Sequence, residues 1–150
     1  MLRISKLTDY AIVAMTFLAQ RPESRFSAAE VAIQVQLETP TVAKILKRLA
    51  SDGLVQSYRG VNGGYQLQGD AESITVADII TVMEGPIGMT ECSVHEGLCA
   101  QEPVCRTRSN WQRISQAVEA ALADVTLLEM TSSFEDPLTP MGLTVRLANK

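Results

Sequence analysis

Residues 39–67 read TPTVAKILKRLASDGLVQSYRGVNGGYQL, and the change of apolar period inside this stretch decides the fold. Val42, Ile45, Leu46 and Leu49 recur at three- and four-residue spacing, which puts them on one face of a helix and sends Thr41, Lys44, Lys47 and Arg48 elsewhere. Thr39-Pro40 is expected to open that helix, with Thr39 as N-cap and Pro40 at the first helical position, where a missing N–H is harmless. Asp52-Gly53 closes it, because glycine suits a left-handed cap. Beyond Gly53 the period drops to two. Leu54–Tyr58 and Tyr65–Leu67 alternate like strands across residues 59–64, RGVNGG, a turn whose glycines can supply positive φ. The stretch predicts a helix followed by a two-stranded wing.

Upstream, Leu7, Ile12, Val13, Met15, Phe17 and Leu18 are dense enough for a buried helix from Ser5, with Thr8 and Asp9 near its start and Arg21-Pro22 closing it. Ser27 and Glu30 have capping-box spacing and open a short second helix through Val31, Ala32 and Ile33. Downstream, residues 75–84, TVADIITVME, repeat that spacing with Thr75 and Asp78 and stop at Gly85-Pro86. A loop with little periodicity carries all three cysteines. From about Thr107 to Ser132 the apolar positions Trp111, Ile114, Val118, Leu122, Val125 and Leu128 predict one helix of some six turns. So small a domain cannot bury that stripe alone, which points to a second copy of the chain. The tail from Phe134, with Pro137 and Pro140, is expected to be extended and partly mobile. The organisation is therefore read as 1–84 winged helix-turn-helix, 85–106 cysteine loop, 107–133 dimerisation helix and 134–150 tail, a mainly α fold with a small β wing.

Composition narrows the function. With 150 residues, 46% of them hydrophobic and 20% charged, the chain is expected to form one compact domain or a small domain with an appendage. No run approaches the ~18 apolar residues of a membrane span, and the opening MLRISKLTDYAIVAM has an acid inside its apolar stretch and no small-residue cleavage site. The chain is read as cytoplasmic, without a membrane partner. Three cysteines cannot form a paired disulfide framework, and a single histidine leaves little for histidine-based catalysis. No acid, base and nucleophile converge in the pattern, so an enzyme reading is set aside. Residues 1–67 hold eight Lys/Arg against five Asp/Glu, whereas residues 68–150 hold five against twelve. Only the first half can face a polyanion.

Three helices, a glycine-tipped hairpin and positive charge confined to that half form the pattern of a winged helix-turn-helix. The third helix would enter the major groove with Thr39, Thr41, Lys44 and Lys47 towards double-stranded DNA, and Arg59 in the wing would reach phosphate or a narrow minor groove. A dimer would present two such helices to an imperfect palindrome. A protein-interaction module with a solvated basic face is the alternative, because the fold is reused. Cys92, Cys99 and Cys105 make a C-x6-C-x5-C cluster. It lacks the fourth ligand and tight C-x2-4-C chelate usual for structural zinc, and three thiolates with one foreign ligand suit a labile iron-sulfur cluster. Cluster, zinc and metal-free thiols all stay open on spacing alone.

The opening KLTDYA, the Ser27 capping box, Thr39-Pro-Thr41 with its K-x-L-K-x-L run, the wing RGVNGGY, the helix end MEG and the cysteine spacing together resemble the Rrf-type family of iron-sulfur winged-helix transcriptional regulators. The likeness runs to about Ser132, and the opening MLRISKLTDY is most similar to the branch that regulates the SUF assembly system. It implies a homodimeric regulator, in the main a repressor of iron-sulfur assembly genes, that holds a 2Fe-2S or 4Fe-4S cluster and answers to cluster status, oxidative stress or nitric oxide. A zinc- or thiol-based redox regulator of the same fold is the rival. The IscR-like branch carries a histidine three residues after the third cysteine, where this chain has Arg108, so that ligand set is not carried over whole. The NsrR-like branch uses an aspartate of the first helix, matched here by Asp9, which reaches the cluster of the partner subunit. Asp9 also reads as a plain dipole-matching residue at a helix start, and His95, three residues after Cys92, reads first as an exposed loop histidine.

Overall fold

A computed structural model describes residues 3–95, 97 and 99–132. In chain order the elements are α1 (Lys6–Ala19), α2 (Ala28–Val35), α3 (Thr39–Ser51), β1 (Val55–Tyr58), β2 (Gly64–Leu67), α4 (Val76–Glu84), α5 (Glu91–Val94), a 3-10 turn (Glu102–Val104), α6 (Arg108–Ala123) and α7 (Leu127–Ser132). The expected mainly α fold with a β wing is present. The extended tail expected from Phe134 lies outside the described residues.

Local chemistry sets the helix ends. Ser5 caps α1 by accepting from Thr8 N, and the boxes Ser27/Glu30 and Thr75/Asp78 are closed in both directions. One start differs from expectation. The first i→i−4 bond of α3 runs from Val42 N to the carbonyl of Glu38, so Glu38 is the N-cap, without a side-chain cap, and Thr39 is already helical. Pro40 tolerates the second position because its missing N–H is still one of the orphan donors. Gln36 takes a left-handed conformation (φ 56°) to end α2, and Gly53 (φ 82°) follows α3.

The core is built by α1, α3 and α4. Ala11, Ala14, Met15 and Leu18 of α1 meet Val42, Ile45, Leu46 and Leu49 of α3, all fully buried, and Ile79 of α4 joins them. Each large side chain among these contributes roughly 1.5–3 kcal/mol by leaving water. The wing pairs antiparallel with Val55 opposite Leu67 and Tyr58 opposite Gly64. Phe26 bridges Tyr65 through two backbone hydrogen bonds of 3.0 and 2.8 Å, which ties the loop before α2 to β2 at one residue. A Cβ on Gly64 would lie 2.8 Å from the Phe26 carbonyl oxygen, so this close approach requires glycine.

The single six-turn helix expected over 107–132 is instead two helices. Thr126 and Glu129 form a third reciprocal box, with Thr126 N donating to the Glu129 carboxylate at 2.8 Å and Glu129 N to the Thr126 hydroxyl at 3.2 Å. At the break, Val76 N donates to the Val125 carbonyl, while Leu127 N and Leu128 N donate to the carbonyls of Ile74 and Ala71. The loop before α4 thus satisfies the orphan donors of α7. Leu127 becomes fully buried in the core, whereas Trp111, Ile114 and Leu128 remain exposed at 38%, 44% and 39%. The predicted stripe is divided: Leu122 and Val125 pack on this chain's own core, and the outer part of α6 stays uncovered.

Candidate nucleic-acid interface and cysteine segment

Burial of Val42, Ile45, Leu46 and Leu49 turns the opposite face of α3 outward, leaving Thr39, Lys44 and Lys47 exposed and Thr41 half-buried. Arg48, also exposed, donates from Nε to the carbonyl of Val82 at 2.6 Å and braces α3 on α4. Arg59 is exposed at the start of the wing turn, next to Tyr58. The guanidinium carbon of Arg25 sits 3.6 Å from the centroid of the Tyr58 ring. Sequence reasoning passed over Arg25, because only the Phe26–Tyr65 pairing brings its loop to the wing.

The cysteine segment has more structure than the expected loop. Cys92 is buried within α5, and Cys99 and Cys105 are half-exposed on either side of the 3-10 turn. All three are free thiols. Met89 N donates to the buried Ser115 hydroxyl of α6 at 3.0 Å, and the Thr90 hydroxyl lies 3.3 Å from the Cys92 sulfur. Glu102 clasps the segment from inside, accepting from Gly97 N at 2.7 Å and pairing with Arg108 at 2.7 Å. Arg108 therefore has a structural partner at the position where the sequence departs from the IscR-like pattern. The Thr107 hydroxyl, 3.4 Å from the Cys105 sulfur, holds that thiol below the usual cysteine range, helped by the backbone of Thr107 and by Arg108.

Asp9 is exposed on the first turn of α1, and His95 is exposed just after α5. Among the described residues, no three His, Cys, Asp or Glu side chains gather closely enough to hold a metal ion. Three thiols, one of them acidified, fit a soft metal centre in kind, but they do not converge within one chain.

Glu84 connects the segment to the winged helix, and sequence reasoning missed it. Its Oε1 accepts from Ser5 N at 2.7 Å and from the buried Thr8 hydroxyl at 2.6 Å, joining the start of α1 to the end of α4. The Thr8 bond foremost, then the Ser5 amide, hold its carboxyl below the ordinary glutamate range. Among the described residues, no helix is long and apolar enough to cross a membrane.

Comparison with known proteins bears on the whole of this arrangement. The chain is 29% identical over 133 residues to the HTH-type transcriptional regulator IscR of Serratia proteamaculans, covering 88% of this chain and 80% of that protein. Among solved structures it is similar to CymR, the global cysteine regulator of B. subtilis, with 34% identity, a TM-score of 0.69 and coverage of 89% and 98% of the two chains. IscR of T. potens follows with 30% identity, a TM-score of 0.68 and 94% of each chain, and the oxidized form of Staphylococcus aureus CymR with 27%, 0.64, and 87% and 96%. The Serratia relative is named a transcriptional regulator and B. subtilis CymR a global regulator, in line with the absence of an enzyme pattern in the sequence. The profile of the Rrf2 family, described as an iron-dependent transcriptional regulator, matches residues 4–133, and the chain belongs to that family of winged-helix regulators.

Proposed function

We propose that the chain is a homodimeric repressor of iron-sulfur assembly genes that binds an imperfect palindrome and reads out a 2Fe-2S or 4Fe-4S cluster. Cys92, Cys99 and Cys105 would supply three thiolates, and the partner's Asp9 the fourth ligand. When bound, such a cluster supplies a centre that reacts with oxidants and nitric oxide. The observation that carries the reading is where the three thiols lie: all fall on one segment whose start follows Glu84, latched to α1, and which is tied to α6 just before Cys92, where Met89 N donates to Ser115. A change of ligation in that segment therefore acts on the element that carries Asp9 and on the helix with the uncovered apolar face. The names of the IscR relatives and the family description support the cluster. The functional division is 1–84 for DNA, 85–106 for the cluster and the α6 part of 107–133 for dimerisation. Anaerobic purification tests it: a brown protein with iron and acid-labile sulfide is expected, and a colourless protein after reconstitution with iron and sulfide would refute the cluster.

A second reading, a regulator that responds through its thiols alone, is favoured by two observations. The Cys105 thiol is acidified and half-exposed, and the fold is similar to that of CymR, including an oxidized form. DNA binding that changes with a disulfide oxidant in metal-free protein would select it.

A further inference from the structure

We propose that Arg25, stacked on Tyr58, binds phosphate at the root of the wing, making with Arg59 a two-cation clamp on the DNA backbone. The inference rests on the DNA-binding reading and adds a residue that neither the sequence pattern nor the wing itself points to.

Two backbone bonds between Phe26 and Tyr65, and the close approach that only Gly64 permits, fix the loop before α2 against β2. Arg25 precedes Phe26 in that loop, and its guanidinium carbon lies 3.6 Å from the Tyr58 ring centroid. The Arg25 cation is thus held on the ring at the end of β1, and Arg59 is the next residue along the chain, where the wing turn begins. Both are exposed, and among the described residues no carboxylate lies within ion-pairing distance of either; Glu23, two residues before Arg25, makes no bridge to it.

An aromatic face attracts a guanidinium but accepts none of its N–H groups in the plane, so the donors of a stacked arginine remain available to a phosphate. Stacking also removes most of the rotamer freedom that a free arginine would lose on binding.

The test uses the full-length homodimer and 30-base-pair duplexes that it selects from a random pool, with affinity followed by fluorescence anisotropy across a salt series. Arg25→Ala is expected to weaken binding roughly tenfold near 0.1 M salt and to flatten the log–log salt slope by about 0.9 for each phosphate that is no longer neutralised, twice per dimer. Arg25→Lys should keep most of the slope with part of the affinity gone, and Tyr58→Leu should lower affinity at an unchanged slope. If Arg25→Ala keeps the wild-type affinity and slope while Lys47→Ala weakens binding, the clamp is wrong and the DNA-binding reading stands. A lower melting temperature with an unchanged slope would likewise overturn the clamp, since the stack would then only pack the wing. Wild-type protein that binds no duplex, with or without a cluster, would sink both.

Discussion

Thr8 donates its hydroxyl to Glu84 Oε1 at 2.6 Å across 76 residues of sequence, and the neighbouring residue on α1 is Asp9. The start of the first helix is thereby held by the last residue of α4, one position before the cysteine segment begins. A displacement of that segment would be felt at Asp9 through a single hydrogen-bonded link, without crossing the core.

The latch has a pH signature. Glu84 is exposed, so its bonds to Thr8 and Ser5 are screened, and Thr8→Val is expected to cost about 1 kcal/mol, below the roughly 1.5–3 kcal/mol of an unscreened bond to a charged group. Because the folded carboxyl titrates below its unfolded value, the contribution is complete above the ordinary glutamate range, roughly pH 4.3, and is lost as pH falls through the lowered folded value. Glu84→Gln should therefore show a smaller loss of stability than wild type between pH 5 and pH 3. Equal acid-limb slopes in urea titrations of the two proteins would refute the assignment.

The two ends of the expected long helix should respond differently to mutation. Leu127 is fully buried, so Leu127→Ala is expected to cost about 2–5 kcal/mol through reduced burial and the cavity left behind. Ile114 is 44% exposed on α6, and Ile114→Glu should leave the monomer fold intact while dissociating the proposed dimer. Denaturant midpoints paired with analytical ultracentrifugation at micromolar concentration separate the two effects. A dimer that survives Ile114→Glu would place the interface elsewhere.

Sequence made legible whatever is encoded within four residues. The Ser27/Glu30 and Thr75/Asp78 boxes, the turn at Gly53 and the glycine-rich wing each announce themselves because the partners are local. Thr126/Glu129 carries the same signal, but the apolar stripe from Trp111 to Leu128 ran through it, and periodicity outweighed the cap. What decided the matter was non-local: the carbonyls of Ala71 and Ile74 reward a break that no i,i+4 pattern contains. The candidate site divides the same way. Exposure of Lys44 and Lys47 followed from the helix face, whereas Arg48 gives its Nε to Val82 and Arg25 reaches the wing only through the bridge that Phe26 makes to Tyr65. The sequence grouped three cysteines within fourteen residues, but proximity along a chain does not dictate convergence in space.

On DNA, Lys47→Ala should weaken binding to all duplexes to a similar degree and reduce the salt slope by about 0.9 per phosphate, because a lysine meeting phosphate displaces a counterion without reading a base. Thr41, half-buried on the same helix, is proposed to contact base edges, and on that reading Thr41→Ala should flatten the preference for the palindrome over random duplex by about 1–3 kcal/mol. Competition titrations against unrelated duplex read both numbers. Wild-type protein with no preference for any palindrome would favour the interaction-module alternative.

The fourth ligand of the proposed cluster gives the sharpest discrimination. The thiols do not converge with Asp9 or His95 inside one chain, and a site closed by the partner's Asp9 would need both protomers, making cluster retention depend on dimerisation. His95, just beyond α5 and three residues from Cys92, would instead ligate within its own segment and leave retention independent of the second copy. Asp9→Ala should therefore keep the dimer but shorten the lifetime of the cluster in air, since a carboxylate is a weak, exchangeable ligand beside thiolates. His95→Ala should change it little. Ile114→Glu adds an independent arm, because a dissociated protein should lose the cluster as readily as Asp9→Ala does. Iron content, acid-labile sulfide and visible absorbance followed over time measure all three, and loss confined to His95→Ala, with Asp9→Ala matching wild type, would reverse the assignment.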